Sequence, residues 1–286
     1  MRSLPGKVRM VTWSAVLAFL ILGFGQGVWG VLLVGNLKTR PAFPWAVPVM
    51  ALVLWLMWQY LGGKWWPRST SESRRRYLRA NQVSGPVLVW ALLAGLLAIT
   101  ALAGYWIVMF QLVKMSPNVL PDFSEYPLLT SVLVIAMASL VSPITEESAF
   151  RGYCQVILER EFTGPVAVVI SSVLFALAHV THGFLWPKLL VYFLVGVVFG
   201  LTAYLAKSII PAIPVHIIGD LIFFTLVWPH DAARRLAGEG GADKWFWTHV
   251  AQAILFTALA IPAFIRLTRI TERLRSEHKV ATMATS

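Results

Sequence analysis

The stretch VLVWALLAGLLAITALAGYWIVMF, from Val87 to Phe110, contains no charged side chain. As a helix rising about 1.5 Å per residue it is long enough to cross a hydrocarbon core about 30 Å thick. Seven further apolar runs accompany it: Val11–Val34, Phe43–Leu61, Pro127 to about Val141 and onward, Pro165–Val180, Pro187–Ala206, Ile209–Trp228 and Trp245–Ile265. Hydrophobic residues make up 58% of the chain and its mean hydropathy is +0.71, against roughly 45–50% apolar content in soluble domains. The expected fold is all-α, a polytopic membrane bundle of about eight transmembrane helices with no soluble domain. Pro and Gly clusters at Pro41 and Pro44, Gly85-Pro86, Gly164-Pro165 and Gly238 to Gly241 mark helix ends. Trp45, Trp65, Trp66, Trp186, Trp228 and Trp245 crowd the ends of the spans, as interfacial aromatics do.

The net charge of +11 fits membrane topology better than nucleic-acid binding, because Lys and Arg gather in cytoplasmic loops. With the N-terminus inside, seventeen of the 24 basic residues fall on the inner side. That places both termini in the cytoplasm and the chain in the inner (plasma) membrane. The first apolar run is too long for a signal-peptide core and lacks a clear small-residue cleavage site, so it reads as the first span. The polar loop Ser69–Arg79 reads as a solvated orientation signal, and the single cysteine, Cys154, as a small packing residue. Three blocks follow: residues 1–126 with about three spans and their loops, 127–228 as the core that carries the polar motifs, and 229–286 with the final span and a basic tail.

Glu146, Glu147 and Asp220 lie inside or against apolar helices, where each ionisable group costs roughly 2.5–3.5 kcal/mol or more on insertion scales. Their neighbours form three clusters: Glu146-Glu147-Ser148-Ala149-Phe150-Arg151, Phe175-Ala176-Leu177-Ala178-His179, and His216-Ile217-Ile218-Gly219-Asp220. Glu147 and Arg151 are one turn apart with the acid on the N-terminal side, the better orientation for a pair. Glu146 sits about 100° around the helix, without that partner, and is left as a base or a metal ligand. His216 and Asp220 again share a face. The bland readings are a structural ion pair at a helix end, a polar pair gluing two helices, and an interfacial histidine at His179. Depth favours a joint site: about the turn from Glu161 to Gly164, Glu146 and His179 lie equally far along an antiparallel hairpin. His216 begins too close to the start of its span, so a tilt or a break near Pro211 and Pro214 has to bring it level.

A paired glutamate followed by x-x-x-Arg, then Phe-x-x-x-His, then His-x-x-x-Asn or Asp, on separate helices, resembles the CPBP superfamily of CAAX prenyl endopeptidases and bacteriocin-processing or immunity proteins. The resemblance spans about Ser142 to Asp220. It implies intramembrane peptide hydrolysis, with Glu146 and His179 activating a water and His216 with Asp220 orienting it or stabilising the oxyanion. Glu147 and Arg151 complete the set of implied catalytic positions. The family is also described as metalloproteases, and zinc could take Glu146, His179 and His216 as ligands, although no short His-x-x-x-His signature demands it. Asp220 stands where CAAX endopeptidases commonly have Asn, and an ionised Asp cannot donate a hydrogen bond to an oxyanion. The implied partners are the bilayer and a membrane-associated peptide or protein. His182 reads as a loop residue. The competing readings are a proton-coupled transporter, which usually shows an internal repeat not seen here, and a non-catalytic immunity or scaffold protein.

Overall fold

The structure, a computed structural model, describes residues 4–114, 123–180, 185–227 and 235–284. His182, Trp228 and Arg234 lie outside the described residues. Among the described residues the fold is helical without strands, and each of the eight apolar runs has most of its described residues in a helix. Five helices are long and apolar enough to cross a membrane and three apolar helices are shorter. With a short polar helix, α3 (Ser71–Leu78), added to these eight, the order along the chain is α1 (Leu4–Thr39), α2 (Ala46–Leu61), α3, α4 (Gly85–Leu112), α5 (Leu128–Leu158), α6 (Gly164–Ala178), α7 (Trp186–Ala206), α8 (Ala212–Val227) and α9 (Lys244–Ala284).

Helices in lipid gain little from hiding apolar surface, so close contact and polar bridges hold them together. α9 lies along α4, α7 packs against both α6 and α4, and α8 is inserted between α4 and α5. Small residues set the closest approaches. A Cβ at Gly95 would meet Val215 at 2.8 Å, and one at Gly196 would stand 3.0 Å from the Ser172 backbone. α1 runs antiparallel to α5, with Ala18 beside Ala149, Phe150 and Cys154, and Gly25 against Thr145. Cys154 is fully buried there, as a packing residue. Asn36 ties the α1–α2 corner by donating to the carbonyls of Arg40 (2.9 Å) and Phe43 (3.0 Å) and accepting the Ala46 N–H (2.8 Å).

The basic segment before α4 departs from its reading as a solvated loop. Lys64, Arg68, Arg75 and Arg76 are exposed, but Arg74 and Arg79 are buried. Arg74 donates to the carbonyls of Tyr60, Trp65 and Pro67, which accounts for its burial. Arg79 reaches Glu159 at 2.8 Å and the Arg151 carbonyl at 2.9 Å. Its own carbonyl accepts the Ile209 N–H at 3.1 Å, and Ser208 donates to the Asn81 carbonyl at 2.7 Å. Ser208, Ile209 and Ala212 are fully buried as a result. The turn before α8 is thus drawn into the bundle with its polar groups satisfied, which is what allows His216, near the start of its helix, to lie deep.

Candidate active site

α5 carries Pro143 within its α-helical part and then changes to a wide π-helical turn over Glu147–Cys154 before returning to α-helix. Such turns are rare and concentrate at functional sites. The whole segment is buried. Glu147 and Arg151 form an ion pair at 3.1 Å, with Glu147 at 0% and Arg151 at 1% exposure. The guanidinium lies 4.1 Å from the Phe175 ring centre and 5.2 Å from that of Phe199, and it donates to the Gly196 carbonyl at 3.3 Å. The buried cation is thereby compensated by one carboxylate, one carbonyl and aromatic faces.

His216 is the hub. Its Nδ1 stands 2.9 Å from Glu147 Oε1, and since an ionised carboxylate only accepts, Nδ1–H is the donor. That fixes Nε2 as the atom facing the other acids: Asp220 Oδ1 is 3.5 Å away and Glu146 Oε2 3.8 Å away. The ring stacks on Phe199 with centroids 4.3 Å apart. Glu146 uses its two oxygens differently. Oε1 accepts from Ser142 Oγ at 2.8 Å and from Gln26 Nε2 at 3.4 Å, whereas Oε2 is buried and makes no hydrogen bond among the described residues. Asp220 Oδ2 is likewise buried without a hydrogen bond there.

His179 closes α6. Its Nδ1 donates to the Phe175 carbonyl at 2.8 Å, which leaves the Nε2 lone pair as the acceptor of the neutral ring. It stacks on Tyr192 at 4.0 Å and meets Phe175 at 4.6 Å, and Phe175 meets His216 at 6.4 Å, so the two histidines flank one phenylalanine. Glu146, Glu147, Arg151, His216 and Asp220 are therefore in one contiguous cluster, and His179 stands at its edge. Among the described residues no three of His, Cys, Asp and Glu are gathered as a metal-ion ligand set. Glu146, His179 and His216 as placed do not make up such a set. The chemistry below is derived without a metal.

Three contributors were not singled out from the sequence: Gln26, Ser142 as a donor, and Phe199. Gln26 had a visible signal, being the one amide in the apolar run Val11–Val34. Ser142 sits four residues before Glu146, the spacing at which helical side chains meet. Phe199 carries no signal, because an apolar residue in an apolar helix is unremarkable by type.

A polytopic helical bundle with carboxylates, histidines and an arginine gathered inside it defines a membrane protein with a buried polar centre. Residues 128–222, about a third of the chain, match the family described as type II CAAX prenyl endopeptidase Rce1-like. The match is consistent with a CPBP family intramembrane protease and supports a CAAX-type protease in general. It covers all six residues from Glu146 to Asp220 named above and leaves out α1 to α4 and α9. Neither curated proteins nor solved structures give a match.

Proposed function

We propose that the chain is an intramembrane endopeptidase that hydrolyses a peptide bond of a membrane-associated substrate, CAAX-like or other, with a water activated by Glu146 and His179. The observation that carries the part of Glu146 in this reading is the 3.8 Å between its Oε2 and His216 Nε2. It is too long for a direct hydrogen bond and suits one bridging water. Oε2, which has no other hydrogen bond among the described residues, accepts a proton as the water oxygen attacks the carbonyl carbon. The same carboxyl returns that proton to the leaving amine.

His216 does the complementary work. Glu147 holds Nδ1–H and so aims Nε2 at the reacting atoms, and as an imidazolium the ring presents Nε2–H to the developing oxyanion. Arg151 balances Glu147, and Asp220 orients His216 or, when protonated, donates a hydrogen bond itself. His179, with its Nε2 lone pair, polarises the water together with Glu146. Residues 127–228 form the catalytic core under this reading, carried between the blocks 1–126 and 229–286. The distribution of basic residues supports both termini on the cytoplasmic side of the inner membrane.

Envelope proteomics tests the function and finds the substrate together. Cells lacking the protein are complemented with wild type or with Glu146→Gln. The expected result is a protein that accumulates uncut in the deletion and in Glu146→Gln, with the variant present in the membrane at normal level. Full complementation by Glu146→Gln would show an immunity or scaffold role without turnover.

A further inference from the structure

The polar centre is assembled from α5, α6 and α8, all inside the segment that matches the endopeptidase family. A further side chain enters it from outside that segment. Gln26 of α1 is half-buried and donates from Nε2 to Glu146 Oε1 at 3.4 Å. The approach is built into α1. A Cβ at Gly25 would overlap Thr145 Cγ2, so only glycine lets α1 lie this close to α5 one residue before the acid. Farther along the same antiparallel contact, Phe19 meets Phe150 edge-on at 6.1 Å. An amide in the middle of a membrane span is costly unless it is bonded. Here it is bonded to the residue proposed as the base.

The two oxygens of a carboxylate are chemically equivalent, and rotation about the last side-chain bond exchanges them. Ser142 holds Oε1 from the same helix, so it moves with Glu146. Gln26 holds the same oxygen from a different helix, and therefore fixes the carboxylate relative to the rest of the bundle. An amide is also the right chemical type. It orients the carboxylate without a full positive charge, whereas Arg or Lys at this place would bind it as an ion pair and suppress its basicity.

We infer that Gln26 is a positioning residue of this site: with Ser142 it engages Oε1 of Glu146 and so leaves Oε2, facing His216, as the oxygen that acts on water. α1 is then part of the catalytic apparatus. The inference rests on the hydrolase reading above.

The test compares wild type, Glu146→Gln, Gln26→Met and Gln26→Asn in proteoliposomes. The probe is a CAAX-terminated peptide, prenylated in one arm and unprenylated in the other. Met keeps the length of Gln without its donor, and Asn keeps the donor on a shorter arm. Gln26→Met should lower kcat roughly 10- to 100-fold, the scale of a misplaced catalytic group, with KM and melting temperature unchanged. Gln26→Asn should fall between Met and wild type. Full kcat in Gln26→Met, with cleavage still lost in Glu146→Gln, overturns the positioning role alone. Equal losses in Met and Asn together with a lowered melting temperature make Gln26 a packing residue and also overturn it. Absence of Glu146-dependent cleavage of both peptides in the wild type overturns a CAAX-directed hydrolase, and the role of Gln26 in it.

Discussion

Removing Arg151 should unbalance the interior of the bundle more than any other single truncation. In Arg151→Ala the carboxylate of Glu147, at 0% exposure, keeps only the His216 contact at 2.9 Å. Breaking one side of a buried pair costs roughly 3–5 kcal/mol. The guanidinium also lies 4.1 Å from the Phe175 ring centre, a cation–π contact worth up to about 2 kcal/mol when desolvated. At about 2–4 °C per kcal/mol for chains of roughly this size, the melting temperature should fall by on the order of 10 °C. Glu147→Gln should also destabilise, since it leaves the cation without its acid. The double change Glu147→Gln with Arg151→Met should cost less than the two single changes together, because no unpaired charge remains. The chain supplies its own probe. Cys154 is the single cysteine and is fully buried, so a thiol-reactive fluorophore in detergent reports opening of the bundle. A melting temperature for Arg151→Ala within about 2 °C of wild type, or a double variant as unstable as the summed singles, would refute the buried-pair account.

Asp220→Asn separates two roles for the acid that faces His216 Nε2 at 3.5 Å. An amide donates at every pH and a carboxyl only when protonated, so if Asp220 is a donor the variant keeps most activity and extends it to higher pH in a pH profile of peptide cleavage. A uniform loss of roughly 10–100-fold, reversed by added metal in a parallel run with and without chelator, would make Asp220 an anion that holds a metal instead. Arg79→Met should destabilise by about 1–3 kcal/mol, the cost of losing a buried hydrogen-bond donor, because the Arg151 carbonyl loses the Arg79 guanidinium and Glu159 is left with Gln155 and Lys207. The same thiol assay reads it, and an unchanged melting temperature would show that the cap over α5 is not stabilising.

The membrane helices were legible because the bilayer selects for long runs of one chemical type, which need no knowledge of neighbours. The Glu147–Arg151 pair was legible for a related reason: its geometry is local to one helix turn. The contact between His216 and Glu147 spans 69 residues and was not. A helix that begins at Ala212 looks too shallow to carry a histidine to the level of Glu146. Only the burial of Ser208 and Ile209 against the carbonyls of Asn81 and Arg79 corrects the depth. The basic loop shows the same limit. Its charge predicts a side of the membrane, but which arginines turn inward depends on carbonyls elsewhere in the bundle. Gln26 was visible as an isolated amide, yet its partner lies 120 residues away, beyond any pattern a single sequence displays.

The buried turn ahead of α8 also orders events during synthesis. Arg79 and Asn81, whose carbonyls hold Ile209 and Ser208, leave the ribosome with α3 and the start of α4, well before α8 exists. A nascent chain already inserted through α7 carries Glu146 and His179 but has no His216 to face them. Under the proposed chemistry it is therefore an incomplete hydrolase, surrounded by the insertion machinery and other newly made membrane proteins. Under that chemistry activity begins only when the last of the three motif helices reaches a seat prepared by the earlier part of the chain, which ties competence to complete assembly.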